Sequence, residues 1–189
     1  MIYLVRHGQT DWNVERKIQG NTDIPLNEIG ELQARNAAEN ISKLKIDKII
    51  SSDLSRARQT AEIINEKVGA NIKLDKRLRE VNYGDFEGNL VENLTEQDWQ
   101  IFDKNPEKIN GESRIEVYKR IKSLFDEIDE EENTLIVTHG GALRMIMYYA
   151  NNKDKFDLEK YIDCTQDIKI HNAELLQWEK GKEIRKDNT

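Results

Sequence analysis

The chain has 189 residues and a formal net charge of −7 at pH 7, from 29 lysines and arginines against 36 aspartates and glutamates. This excess of negative charge argues against nucleic acid or an anionic membrane as a partner. The length suits one domain, residues 1–189, with enough apolar residues for a core. With Cys164 as its one cysteine, the chain has no disulfide framework, and no apolar run approaches membrane-spanning length, so we expect a cytoplasmic protein.

The first half of the chain alternates apolar runs with helical patterns. The runs from Ile2 to Val5 and from Ile46 to Ile50 end abruptly in polar residues, which is typical of buried parallel strands. A helix from about Glu28 to Leu44 is predicted behind a cap at Asn27, and another from Ser55 to Val68. The first helix carries a stripe that we expect to lie in the core, composed of Ile29, Leu32, Ala37 and Ile41.

The second half continues this alternation. Ser113 and Glu116 fit a capping box that opens a helix running toward Ile128. A strand from Leu135 to Thr138 precedes a predicted helix from Ala142 to Tyr149, and a late strand is predicted from Glu174 to Trp178. Strands that alternate with helices predict an α/β fold in which helices flank a mostly parallel central sheet.

Two histidine-glycine pairs stand directly after predicted strands, with His7 after the first strand and His139 after the later one. Ligands of open α/β sheets bind at the carboxyl ends of the strands, so we expect both imidazoles to meet there. Arg6 precedes the first pair, and Arg56 follows the apolar run that ends at Ile50. Two arginines and two histidines at one sheet edge predict a cationic pocket rich in hydrogen-bond donors.

Six sequence blocks occur in an order that resembles the histidine phosphatase superfamily, in its phosphoglycerate mutase-like branch. The first block runs from Leu4 to Asn13 and contains Arg6-His7-Gly8. The others are residues 23–34, 51–57, 78–88, 111–113 and 137–141. The resemblance implies a three-layer α/β fold with a small insertion over the substrate, here about residues 81–112, which we call the lid segment.

The resemblance also implies a role for each matched residue. His7 would attack phosphorus to form a phosphohistidine that water later hydrolyses. Arg6 and Arg56 would grip the phosphoryl oxygens, and His139 would donate to one of them, adding charge as a cation. Glu80 takes the place of the family's proton donor to the leaving alkoxide. Further substrate contacts are implied for Asn13, Gln19, Gly20 and Gly140, where Gly140 opens a helix whose amides would face the anion.

The lid segment favours a phosphatase over a mutase. Mutases of the family have a longer insertion with basic side chains, including an arginine directly after the acid, whereas Val81 follows Glu80 here. Residues 81–103 hold no lysine or arginine, so a polyanionic substrate would meet like charge unless these carboxylates face solvent. The carboxylates are those of Asp85, Glu87, Glu92, Glu96, Asp98 and Asp103.

We therefore predict a metal-independent phosphatase for a small phosphomonoester whose remainder is neutral, aromatic or cationic. The chain length and the short insertion also resemble those of α-ribazole phosphatases, whose substrate is a nucleotide-like monoester, although one fold serves many substrates. Apolar contacts to the remainder are expected from Trp12, Tyr83, Phe86, Trp99 and Phe102.

Two other functions stay open, a phosphoglycerate mutase and a non-catalytic module that binds phosphorylated ligands. No cofactor is expected. Zinc is not expected either, because the two histidines and the glutamate lack the short spacing typical of its ligands. His171 lies outside every motif and is predicted to lie in a loop. The sequence does not indicate an oligomeric state.

Overall fold

A computed structural model describes residues 1–152, 155–165, 167–179, 182 and 184–186. In this part of the chain one sheet has the strand order β3-β2-β4-β1-β5-β6, in which the first four neighbours run parallel. Strand β5 is antiparallel to β1, and β6 is antiparallel to β5. The strands are β1 (Ile2–Arg6), β2 (Lys48–Ser51), β3 (Asn71–Leu74), β4 (Thr134–Thr138), β5 (Leu175–Trp178) and β6 (Arg185–Lys186). The predicted, mostly parallel α/β fold is confirmed.

Helices cover both faces of the sheet. They are α1 (Asp11–Val14), α2 (Glu28–Ile41), α3 (Ser55–Val68), α4 (Glu96–Lys104), α5 (Arg114–Glu127), α6 (Gly140–Asn151) and α7 (Leu158–Thr165). Side chains alternate between the faces of a strand, so Val5 packs with α2 and α3 while Leu4 packs with α5 and α6. One core lies on each face of the sheet, so the sheet and the helices on its two sides form three layers.

Most predicted elements lie where the sequence places them. Helix α3 has the predicted bounds, and Ser113 and Glu116 form the expected capping box at the start of α5. The structure begins α6 at Gly140, two residues before the predicted start, and ends α2 at Ile41, three residues before the predicted end. No helix in the described ranges has the length and apolar character needed to cross a membrane.

Helix α2 buries Ile41 as predicted, but the first part of its buried face differs from the predicted stripe. Ile29 and Leu32 are 52% and 53% exposed, whereas Gly30 and the small residues one and two turns later are buried. A Cβ on Gly30 would lie 2.1 Å from the carbonyl oxygen of Gln9, and a Cβ on Gly8 would lie 2.3 Å from that of Gly30. The helix therefore touches the loop after β1 through glycines, because only they permit so close an approach.

Candidate active site

The predicted site residues meet at the carboxyl edge of the sheet. Strand β1 ends at Arg6 and β4 at Thr138, so His7 and His139 emerge side by side with ring centroids 5.1 Å apart. Arg56, in the first turn of α3, reaches the same point and donates from Nε to Nδ1 of His139 at 3.1 Å. A cleft of about 170 Å³ opens there, lined in part by Arg6, His7, Arg56 and Glu80.

The state of the His7 imidazole is fixed by its surroundings. Its Nδ1 lies 2.7 Å from the carbonyl oxygen of Gly8. Because a carbonyl only accepts, Nδ1 carries the proton and Nε2 carries the lone pair. Burial, together with the charges of Arg56 and Arg6, holds the pKa of His7 well below 6.5. The ring is therefore neutral at physiological pH, which is the form that can attack an electrophile.

Two arginines, Arg56 fully buried and Arg6 partly buried, supply fixed positive charge. Arg6 donates from Nη1 to the carbonyl oxygen of Ile170 at 2.6 Å, while its buried Nε has no hydrogen-bond partner among the described residues. Arg56 donates to the carbonyl oxygens of Thr22 and Gly20 at 2.9 and 2.7 Å. Burial lowers the pKa of Arg6, and it lowers the pKa of Arg56 to about 10, so both stay charged at neutral pH.

His139 is also a neutral imidazole, which corrects the expectation that it adds positive charge as a cation. Since Arg56 donates to Nδ1, the proton sits on Nε2, which lies 2.8 Å from the hydroxyl oxygen of Ser52. Burial and the neighbouring Arg56 hold the pKa of His139 well below 6.5. The charge of this site therefore comes from the arginines, and His139 offers a single donor.

Glu80 sits at the start of helix α6. Its Oε1 accepts from the amides of Val81 and Ala142 at 2.9 and 3.1 Å, and its Oε2 accepts from the amide of Gly141 at 3.0 Å. The first amides of a helix have no partner within the helix, so part of the donor set expected to face the substrate is taken by this side chain. The carboxyl group is thereby held at the border of the cleft.

Asn13 and Gln19 also line the cleft, with their amide oxygens turned away from it into hydrogen bonds. Oδ1 of Asn13 accepts from the amide of Thr10 at 3.1 Å, and Oε1 of Gln19 accepts from the hydroxyl of Thr10 at 3.0 Å. This arrangement leaves the NH₂ groups as the groups for a ligand. Gly20 contributes its carbonyl oxygen to Arg56, and Gly140 forms the first residue of α6.

Three residues that support the site carry no motif of their own. Ser52 and Thr60 hold His139 and the amide of Gly8, and Ser52 lies within a block already recognised beside Arg56. Asn172 donates from Nδ2 to the carbonyl oxygen of His7 at 2.9 Å and to Oδ1 of Asn13 at 3.3 Å. It lies in the loop before β5 and gives no signal in the sequence. The exposed His171 precedes it, in a loop as predicted.

The lid segment meets the cleft with Tyr83, Val91 and Trp99. Within the described chain none of its six carboxylates between residues 81 and 103 lines the cleft, so the repulsion predicted from an acidic lid finds no support there. Phe86 and Phe102 are buried in the core and are likewise not cleft residues. The remaining aromatic candidate, Trp12, contacts the side chain of Lys17. The wall that the lid segment provides is therefore largely apolar.

Fold and site together define an α/β protein in which two histidines and two arginines lie together at the carboxyl edge of the sheet. The chain belongs to the histidine phosphatase superfamily (branch 1), whose family model matches residues 2–180. A relative from Escherichia fergusonii, named probable phosphoglycerate mutase GpmB, is 44% identical over 151 residues, covering 75% of this chain and 70% of the relative. The protein of the same name from Escherichia coli K12 is 42% identical over 154 residues, with the same shares of each chain.

Two solved structures of phosphatase and mutase enzymes are similar to this chain. A mycobacterial glucosyl-3-phosphoglycerate phosphatase complexed with VO3 is 29% identical with a TM-score of 0.81, covering 98% of this chain and 96% of its own. A phosphoglycerate mutase from Thermus thermophilus is 27% identical with a TM-score of 0.76, covering 100% and 99%. This chain is therefore an enzyme of the phosphatase and mutase type.

Proposed function

We propose that this enzyme is a phosphatase that hydrolyses a small phosphomonoester through a phosphohistidine on His7. The observation that supports the proposal is the state and the position of the His7 ring. It is neutral, its Nδ1 proton is held by the carbonyl of Gly8, and it borders the cleft between two cationic arginines. A nucleophile with this tautomer and these neighbours suits transfer of a phosphoryl group, whose transition state spreads negative charge over three oxygens.

The proposed reaction has two steps. Nε2 of His7 attacks phosphorus while the bond from phosphorus to the ester oxygen breaks, and the protonated carboxyl of Glu80 gives its proton to the departing alkoxide. Water then attacks the phosphohistidine and returns a proton to Glu80, and inorganic phosphate leaves. Arg6 and Arg56 bind the phosphoryl oxygens in both steps. His139 holds Arg56 in place, since its Nδ1 accepts from that arginine and its one N–H donor is used by Ser52.

Three arginines of the chain are paired with protein carboxylates, which favours a substrate without a second anionic group. Arg79 is paired with Asp53 through two hydrogen bonds of 2.7 and 2.6 Å. The same holds for two further arginines, since Arg114 is paired with Asp103 at 3.0 Å and Arg120 with Glu112 at 2.7 Å. A carboxylate on the substrate would have to compete with these protein carboxylates. The apolar wall of the lid segment suits a neutral or aromatic remainder instead.

Lys17 also lines the cleft, and its Nζ lies 2.6 Å from Glu15. The name shared by the Escherichia relatives makes phosphoglycerate mutase the second candidate function. A mutase would have to bind the carboxylate of phosphoglycerate, for which Lys17 is the available contact once Glu15 is displaced. A phosphatase needs no such exchange of partners.

The test is phosphate release from a panel of phosphomonoesters in excess chelator, comparing the wild-type chain with His7→Ala. We expect the substitution to lower the rate by about 1,000-fold or more. His171→Ala is the matched control, because it removes an exposed imidazole outside the cleft. Release that persists in His7→Ala would overturn the mechanism, and a requirement for a metal would overturn metal independence. Interconversion of 2- and 3-phosphoglycerate in the presence of bisphosphoglycerate, without net hydrolysis, would identify a mutase.

A further inference from the structure

Glu87, in the lid segment, is turned into the protein and collects four hydrogen bonds. Oε1 accepts from the amides of Asn21 at 2.8 Å and Tyr83 at 3.1 Å. Oε2 accepts from the amide of Thr22 at 2.9 Å and from its hydroxyl at 2.6 Å. Three of these four bonds come from one short loop, residues 20–22, so the carboxylate ties that loop to the lid segment.

The other side of the same loop holds a phosphate-binding side chain. The carbonyl oxygens of Gly20 and Thr22 accept from the two terminal nitrogens of Arg56. Gly20 has a φ of 52°, and a Cβ there would lie 1.9 Å from Oε1 of Glu87, so the loop packs directly onto the carboxylate. The carbonyl of Gly20 and the amide of Asn21 belong to one planar peptide unit, so the hydrogen bond from that amide to Glu87 fixes the carbonyl that accepts from Arg56.

We propose that Glu87 is a positioning residue that acts through Arg56. Its carboxylate fixes loop 20–22, the loop fixes the guanidinium, and the guanidinium meets both His139 and the phosphoryl group. This inference rests on the proposed function, in which Arg56 binds the phosphoryl oxygens. It assigns to the lid segment a role in shaping the phosphate pocket, in addition to forming a wall over the substrate.

The first test compares Glu87→Gln with Glu92→Gln. Glutamine keeps one acceptor oxygen but places an NH₂ group against backbone donors, so the loop must shift. We expect kcat to fall by about 10- to 100-fold, since small misplacements of a positioning group have effects of this size. Glu92 lies exposed in the same segment, and its substitution removes the same charge without changing kcat. Equal effects of the two substitutions would overturn the proposal.

The second test separates a positioning role from general stability. Glu87→Gln, Arg56→Lys and the double variant are compared in their affinity for inorganic phosphate, measured by titration calorimetry. If Glu87 acts through Arg56, its substitution weakens phosphate binding in the wild-type chain and changes it by less than about two-fold in the Arg56→Lys background. Equal losses in both backgrounds would show that Glu87 acts independently and would overturn the proposal.

A second variant and the phosphate binding of the wild-type chain complete the test. If Glu87→Gln fails to fold, Thr22→Val removes one of the four hydrogen bonds and is expected to weaken phosphate binding in the same Arg56-dependent way. Phosphate binding requires no turnover, so a wild-type chain that binds phosphate but hydrolyses no ester would defeat the proposed function while the cycle still decides the role of Glu87. Absence of phosphate binding to the wild-type chain would overturn both.

Discussion

Arg56 and His139 lie in one buried cluster in which each group fixes the next. The guanidinium uses Nε for His139 and its terminal nitrogens for two backbone carbonyls. His139 in turn reaches Ser52 through Nε2. A planar fork with donors in fixed directions is needed to serve these acceptors at once, which explains why arginine stands at this position.

Replacing Arg56 by lysine should therefore cost both activity and stability. An ammonium group keeps the charge but cannot reach His139 and two carbonyls together. We expect kcat to fall by about 100-fold or more, the size seen when one preorganised donor is removed. Unpaired buried acceptors should lower the free energy of unfolding by about 1–3 kcal/mol. Steady-state kinetics and urea denaturation measure the two effects. Arg58→Lys, an exposed arginine of the same helix with Glu62 as its partner, should change neither.

The start of helix α6 is the element that places Glu80, and its two glycines differ in what they permit. A Cβ on Gly141 would lie 2.5 Å from Oε1 of Glu80 and 3.0 Å from a methyl group of Val81. A Cβ on Gly140 would meet its nearest atom, Nε of Arg6, at 3.6 Å, which is ordinary contact. The close approach of the carboxyl group to the helix therefore depends on Gly141.

We expect Gly141→Ala to lower kcat by about 10- to 100-fold, because the carboxyl group must move from its place at the cleft. The loss should exceed that of Gly140→Ala, which keeps every backbone amide and adds a methyl group where there is room. Alanine favours a helix over glycine by up to about 1 kcal/mol, so a fall in activity without a fall in melting temperature would separate the two effects. A larger loss in Gly140→Ala would contradict this account.

The sequence predicted the elements of this fold well wherever a pattern is local. Helix α3 and the capping box of α5 depend on neighbouring residues, and both were predicted correctly. The prediction of the buried face of α2 was wrong at Ile29 and Leu32. Close packing of this helix against the loop after β1 requires small residues, not large apolar ones. Hydrophobicity alone carries no information on how closely two elements approach.

The same distinction applies to the site. His7, Arg6, Arg56 and His139 could be placed together because each follows a predicted strand, and strand ends share one edge of the sheet. The hydrogen bond between Glu80 and the start of α6 could not be predicted, since it joins two segments far apart in the chain. The contact of Asn172 with His7 is equally remote. Such contacts depend on the packed structure, and the residues that make them have no characteristic spacing in the sequence.

The buried histidines should make the stability of the whole molecule depend on pH. Burial and Arg56 hold the pKa values of His7 and His139 well below 6.5, whereas in the unfolded chain both titrate near that value. As the pH falls below about 6.5 the unfolded chain binds more protons than the folded one, so stability decreases. The expected slope approaches about 1.4 kcal/mol per pH unit for each histidine.

Urea unfolding between pH 7.5 and 5 would measure this slope. Asp75, whose pKa Arg77 holds below 3.8, contributes only at lower pH. His7→Asn should remove about half of the slope in this window, since it deletes one of the two titrating groups. A slope unchanged by His7→Asn would show that other groups cause the pH dependence.

Strand β1 ends directly before the proposed nucleophile, His7, and lies at the middle of the sheet, between partners that come much later in the chain. Ile2 pairs with Thr134 on one side and with Trp178 on the other. During synthesis this apolar strand therefore stays without its neighbours until residue 178 has left the ribosome. Such long-range pairing slows folding and leaves an exposed apolar nascent segment that chaperones can shield. Activity should appear only after residue 178 has emerged, so a ribosome stalled earlier would carry an inactive chain with every catalytic residue already made.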